Sequence, residues 1–358
     1  MAEASGPSPS PSPSPSPSPS PSPSPSPSPT PEPTPVLVPA PLTGRPVAPE
    51  LALRRPIAVM VDDLRPARPQ SGFTDASVVW HAPAEGGIPR YMLVFAEGDP
   101  PAVGPVRSSR EYYIGWAAEW NALYVHVGGS PQSLATLRAK GDGELVWNAD
   151  EFRWGRYFRR SKERYAPHNV YTDARRLREL LQAVGAGDLA APPEAAWEFE
   201  PDPPVRDRPA GGRIVIPYPY NEVVYAYDRL TNSYPRAVTG EAAQVDATTG
   251  ERVAPKNVVV MFMRFGRLDD GHPEKRRLEA DFVGSGEALI AVDGRTIRGT
   301  WEKPSVTAPT RFLDAAGEPV RLTIGQTFVQ VVPVGTKVSV RDGRVPSPPR
   351  APSVAAPA

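Results

Sequence analysis

The sequence has no cysteine. That excludes a disulfide framework, a thiol nucleophile, a cysteine zinc site and an iron–sulfur cluster. No apolar run approaches the roughly 18 residues that a membrane-spanning helix needs. Charge of one sign is also missing, because 40 basic residues offset 40 acidic ones. No whole-molecule field therefore draws the chain to nucleic acid or to anionic lipid. The motifs GxSxG and HExxH, the Walker loop and the dinucleotide fingerprint are all absent. What the chain has in excess is proline, 49 residues in 358, against a usual share of roughly 5%. Nineteen of them precede Glu50 and five follow Gly343, so the middle is a globular body with a tail at each end.

From Pro7 the dipeptide Pro-Ser runs eleven times, followed by alternating proline, threonine and glutamate up to Pro35. Proline fixes φ and restricts its predecessor, so this stretch reads as a stiff polyproline II rod. At about 3.1 Å per residue it reaches roughly 90 Å when extended. Such a rod suits a spacer that holds a folded body away from an anchor, as in cell-envelope proteins. An exported spacer calls for a charged start and an apolar stretch ahead of it. Met1 to Gly6 shows neither. The organisation expected is a disordered spacer over 1–49, an N-terminal α+β domain over 50–190, a linker over 191–212, a β-rich domain over 213–340 and a disordered tail over 341–358.

Within the body, Pro56 to Asp62 is a short apolar run that reads as a buried strand, with Ser77–Trp80 and Arg90–Phe95 as two more. Ser108 or Ser109 is expected to cap a helix running to Trp120. Ala122–Val127 is the next strand, and Gly128-Gly129-Ser130-Pro131 opens a second helix. Thr172 is expected to cap a third, in which Leu177, Leu180, Leu181 and Val184 fall at helical spacing. After Gly212 the pattern is strands, with Asp293-Gly294 as the strongest hairpin turn. The fold class expected is α+β, a mixed α/β N-terminal part packed against a mostly antiparallel β C-terminal part.

Several side chains carry chemistry. Arg107 and Arg110 stand at the mouth of the first helix, where unpaired backbone N–H groups and guanidinium groups together favour an anion. Ion pairing of both arginines with Asp62, Asp63 or Glu85 is the competing reading. Ser130, in the glycine turn, and His126, on the strand before it, are candidate ligand contacts, though a lone strand histidine is more often a bonded core residue. His168 and Asn169 lie in a loop, where a histidine beside polar partners acts as acid, base or ligand. Asp62, Asp63, Glu85 and His168 together are the candidate catalytic set, for acid–base hydrolysis or transfer. No metal set is assigned, and no cofactor follows from the sequence. Ser108, Ser109 and Ser130 lack support as nucleophiles. The segment Phe152 to Tyr165 interleaves six basic residues with five aromatic ones and a single acid, a pattern suited to polyanions and stacked rings. Trp301 reads equally as core or as a sugar platform.

A set of short motifs then occurs in a fixed order: Val59-Met-Val-Asp62, Arg65-Pro-Ala-Arg-Pro-Gln-Ser-Gly72, Ala82-Pro-Ala-Glu-Gly-Gly-Ile88, Gly104-Pro-Val-Arg-Ser-Ser-Arg110, Val125-His-Val-Gly-Gly-Ser-Pro-Gln132 and Ala166-Pro-His-Asn-Val-Tyr-Thr172. In the second half come Pro255-Lys-Asn-Val-Val-Val260, Val283-Gly-Ser-Gly286, Gly299-Thr-Trp301, Pro309-Thr-Arg-Phe312 and Gly325-Gln-Thr327. Together they resemble the YerB-like lipoprotein family, a domain of unknown function in N- and C-terminal parts, over roughly Pro56 to Pro333. The resemblance implies two intimately packed α+β parts and a bacterial lipoprotein whose lipidated cysteine precedes a low-complexity spacer, but no established activity. This sequence departs there, having no such cysteine. Membrane attachment is thus expected only through a lipid anchor not present in this sequence, with an extracytoplasmic location. The function expected is a binding module for an anionic cell-wall polymer or an envelope protein, with no nucleic acid partner. An envelope hydrolase or transferase using the carboxylate and histidine residues is the alternative.

Overall fold

The computed structural model describes residues 36–190 and 197–345, together with Met1 and Gly6. The expected Pro-Ser rod, the first residues of the expected linker (191–196) and the end of the expected tail (346–358) lie outside the described residues.

Ile57–Asp62, Val78–Pro83 and Pro89–Phe95 are buried at every position. A strand covered on both faces reads as a continuous apolar run rather than as an alternation, and these three occupy the middle of a ten-stranded sheet. Its order is Arg311–Asp314, Arg295–Lys303, Gly284–Val292, Asn257–Met263, Thr327–Pro333, Val78–Pro83, Pro89–Phe95, Ile57–Asp62, Leu123–His126 and Trp147–Asp150. Ile57, Val59 and Val61 face one side, with helix Ala174–Ala183 and a four-stranded antiparallel sheet packed on it. Ala58 and Met60 face the other, against Glu111–Ala117 and the helix Pro131–Lys140. There Trp80 and Trp116 stack with ring centroids 4.5 Å apart.

The two halves of the chain share this sheet. Thr327–Pro333 pairs in parallel with Asn257–Met263 on one side and with Val78–Pro83 on the other. The last long strand of the C-terminal half is therefore laid directly on the N-terminal half. The chain is α+β as expected, with a large mixed sheet and smaller antiparallel ones.

Some local expectations need correction. The cap of Glu111–Ala117 is Arg110, without a side-chain capping bond, because the Ser109 hydroxyl accepts from Tyr124 Oη at 3.0 Å instead. Asp173, not Thr172, caps Ala174–Ala183, since the Thr172 hydroxyl donates to the Tyr157 carbonyl. Ser130 does cap Pro131–Lys140. Residues 36–49, expected as spacer, form part of the body: Val38–Pro39 pairs with Pro46–Val47, and the Thr43 hydroxyl donates to Glu97 Oε1 at 2.6 Å. In the expected linker, Glu198–Glu200 pairs in parallel with Arg321–Thr323, and buried Trp197 donates to the Thr310 carbonyl. At the start of the expected tail, Arg341 ends the strand Ser339–Arg341, which pairs with Arg213–Pro217. Trp301 is core, 2% exposed, its indole N–H donating to the Phe262 carbonyl.

Candidate functional site

Strands Ile57–Asp62, Leu123–His126 and Trp147–Asp150 run parallel, and their carboxyl ends lie on one edge. In open parallel sheets that edge is where crevices form between diverging strands. The first two strands pair only from Ile57 to Val59. Beyond that point the segment Val106 to Ser109 enters the gap. The Arg107 N–H donates to the Met60 carbonyl, and the Val127 N–H donates to the Arg107 carbonyl. Ser109 and Gly129 bridge the next step. Arg107 is thereby fixed beside the end of the first strand.

Asp62 closes that strand with its side chain almost fully buried. Its Oδ2 lies 2.7 Å from His168 Nδ1 and 3.1 Å from Arg107 Nε, while Oδ1 accepts the Leu64 N–H at 3.1 Å. The next-door peptide bonds Gly104-Pro105 and Ala166-Pro167 are both cis. His168 Nε2 and the terminal nitrogens of Arg107 have no hydrogen-bond partner among the described residues, and their side chains are 14% and 23% exposed. Burial lowers the Arg107 pKa, against the pull of Asp62. One carboxylate thus orients an imidazole and a guanidinium.

The basic aromatic segment leads into the ribbon beside His168: it starts in the helix Glu151–Trp154, passes through the turn Gly155–Tyr157 and enters the strand Arg159–Arg160. Arg159–Arg160 pairs with Val170–Tyr171, with His168 in the connection between them. Arg164 donates to the carbonyls of Pro66, Arg68 and Pro69, tying this connection to the loop after Asp63. Tyr157 and Phe158 face the core, whereas Phe152 and Tyr165 are exposed. Arg153, Arg156, Arg159 and Lys162 are exposed too, without a carboxylate partner among the described residues. Three of these guanidinium groups sit over rings: Arg153 over Trp154 at 5.1 Å, Arg156 over Tyr157 at 4.7 Å and Arg159 over Tyr171 at 5.3 Å.

The other sequence candidates separate from this cluster. Asp63 turns inward: Oδ2 meets His81 Nε2 at 2.9 Å and accepts from Asn221 at 2.8 Å, and Oδ1 accepts from Arg68 at 3.0 Å. Burial pushes the Asp63 pKa up, but the His81 hydrogen bond and the charges of Arg68 and Arg236 outweigh it and hold the carboxyl at about 2. Glu85 meets Arg90 at 3.0 Å and also pairs with Arg110. Arg110 is buried by that contact, its pKa lowered by desolvation to about 10, so it is not offered to an external anion. Its expected partnership with Arg107 in an anion site at the helix mouth fails for this reason. His126 is fully buried between the Gly128 carbonyl and Asn148, both at 2.8 Å, and Ser130 bonds Ser133. Asn169 accepts from Arg160 at 3.2 Å.

The residue that sequence reasoning missed is His81. It is fully buried between Asp63 and Gln330 and stacked on Tyr91 at 4.3 Å. Its signal was a single histidine inside an apolar strand. Over this network an open pocket of roughly 480 Å³ is lined by Arg65, Arg68, Gln70, Glu241 and Gln244 among others.

A chain with this two-part architecture, its halves joined through a shared mixed sheet, matches a family of proteins of unknown function. The N-terminal domain of DUF3048 matches residues 42–186 and its C-terminal domain residues 214–329, and the chain belongs to that family. Among its relatives is a Bacillus subtilis (strain 168) protein described as "Putative lipoprotein YerB", 28% identical over 319 residues, covering 85% of this chain and 89% of that protein. The crystal structure of YerB from Bacillus subtilis matches with a TM-score of 0.74 at 27% identity, covering 85% of this chain and 99% of that one. No helix among the described residues is long and apolar enough to cross a membrane.

Proposed function

We propose that this protein is an extracytoplasmic, surface-anchored binding module that takes an anionic polymer of the cell envelope along its basic aromatic ribbon. The observation that carries the reading is the set Arg153, Arg156, Arg159 and Lys162, exposed and free of carboxylate partners among the described residues. A guanidinium stacked on a ring keeps its charge and its donors while losing little freedom on binding. Exposed Phe152 and Tyr165 offer further flat apolar surface beside those charges. Because the whole chain is neutral, the attraction is local and fades beyond about 8 Å at physiological salt. The description of YerB as a lipoprotein and the Pro-Ser spacer support the surface location.

The test is co-sedimentation of the full-length protein with purified cell walls. Binding at low salt that weakens at high salt, and drops at least tenfold in Arg153→Ala/Arg156→Ala/Arg159→Ala, is the expected result. No sedimentation at low salt overturns the proposal.

A further inference from the structure

We infer that Asp62, His168 and Arg107 form a hydrolytic centre for phosphodiester bonds in a polyanion drawn along the ribbon. This inference rests on the binding reading above for its substrate, but not for its chemistry.

Three features of geometry support it. The first is orientation. The buried Asp62 Oδ2 accepts from His168 Nδ1 at 2.7 Å. That bond fixes the tautomer with the proton on Nδ1 and leaves the Nε2 lone pair as a base, which is how a carboxylate serves a catalytic histidine. The second is access, since Nε2 has no protein partner among the described residues and the His168 side chain is 14% exposed. The third is a companion cation. Arg107 Nε lies 3.1 Å from the same Oδ2, so base and guanidinium are held around one oxygen. The outer edge of Arg107 is a planar pair of donors, matched to the two non-bridging oxygens of a phosphodiester. An uncharged ester has no such pair of oxygens to offer. The site also stands at the carboxyl edge of parallel strands, in the connection of the ribbon whose first strand carries Arg159.

The step balances with water alone. His168 Nε2 takes a proton from a water molecule as its oxygen attacks phosphorus. The bond from phosphorus to the leaving alkoxide breaks while Arg107 neutralises the charge on the non-bridging oxygens. The imidazolium then returns its proton to the alkoxide. One diester and one water give one phosphomonoester and one alcohol.

The test uses the full-length protein and bis(4-nitrophenyl) phosphate, a small diester that does not depend on polymer binding. Wild type should release 4-nitrophenolate. His168→Gln should lower kcat by about 100-fold or more, the range of general-base catalysis, while still sedimenting with walls. Arg107→Gln should lower kcat as well. The ribbon triple variant should lose wall binding. Wild type that binds walls yet releases no more 4-nitrophenolate than His168→Gln overturns the hydrolytic centre and leaves the binding module standing. Turnover without wall binding overturns the binding reading and keeps the centre.

Discussion

Asp62 and Asp63 are neighbours in the chain with opposite destinations: Oδ2 of Asp62 meets His168 Nδ1 at 2.7 Å at the sheet edge, and Oδ2 of Asp63 meets His81 Nε2 at 2.9 Å in the interior. Successive side chains of an extended segment point to opposite sides, and here the two sides are a solvent-reached crevice and a closed polar core. The same residue type therefore has two different roles, and removing each has a different effect.

Asp63→Ala should lower stability by about 3–5 kcal/mol, the usual effect of stripping one partner from a buried ion pair. It leaves Arg68 and His81 facing each other without their shared acceptor. Asp62→Ala should lower it less, by about 1–2 kcal/mol, because its partners Arg107 and His168 are part-exposed, 23% and 14%, and can turn to water. Urea denaturation monitored by circular dichroism separates the two, and equal losses would contradict the assignment.

Acid should weaken the fold through the same core. The Asp63 carboxyl titrates at about 2 when folded, against 3.8 when free. A depressed carboxyl contributes stability that is present above its unfolded value and is lost as pH falls through the folded one. The window is thus pH 4 down to 2, and the contribution is about 2 kcal/mol. His81 adds in the same direction from a higher pH, since burial lowers its pKa below 6.5. Denaturation midpoints measured across pH should show the lower component disappear in Asp63→Asn. An unchanged pH profile in that variant would be inconsistent with this account.

Arg110 should behave as a structural residue. Its guanidinium shares Glu85 with Arg90, and both arginines are buried. Arg110→Ala and Glu85→Ala should each cost about 2–4 kcal/mol, read as a fall in Tm. Arg156→Ala, on the exposed ribbon, should leave Tm within about 2 °C.

Another buried pair joins the two halves of the chain. Lys303 Nζ lies 3.0 Å from Glu119 Oε1, and Glu119 also accepts from the Thr310 hydroxyl at 2.6 Å. Burial lowers the Lys303 pKa and raises that of Glu119. Lys303→Met alone should cost about 3–5 kcal/mol, whereas Lys303→Met with Glu119→Leu should recover most of it. A double-mutant cycle by calorimetry measures the coupling, and strict additivity would show that the pair is not coupled.

Residues 36–190 expressed alone should fail to give a monomeric folded domain. Without Thr327–Pro333, the strand Val78–Pro83 becomes an open apolar edge, and such edges aggregate. Size-exclusion chromatography decides this. A monodisperse, cooperatively melting fragment would show that the shared sheet is dispensable.

What the sequence determined was local. The apolar run ending at Asp62, the Ser130 cap and the leucine spacing of Ala174–Ala183 follow from periodicity and from side chains acting on their own backbone. The hairpin at Asp293-Gly294 follows from the positive φ of both residues, 51° and 74°. The basic aromatic ribbon was legible for the same reason, as composition over a few turns of chain. The tertiary structure alone decided which charges meet. His168 reaches Asp62 across 106 residues, and His81 reaches Gln330 across 249. Arg110 was drawn from the expected anion site to Glu85 because a buried guanidinium needs a counter-charge. Periodicity shows which side of an element a residue occupies. It carries no information on the partner across a sheet seam, because that contact is fixed by burial among elements distant in the chain.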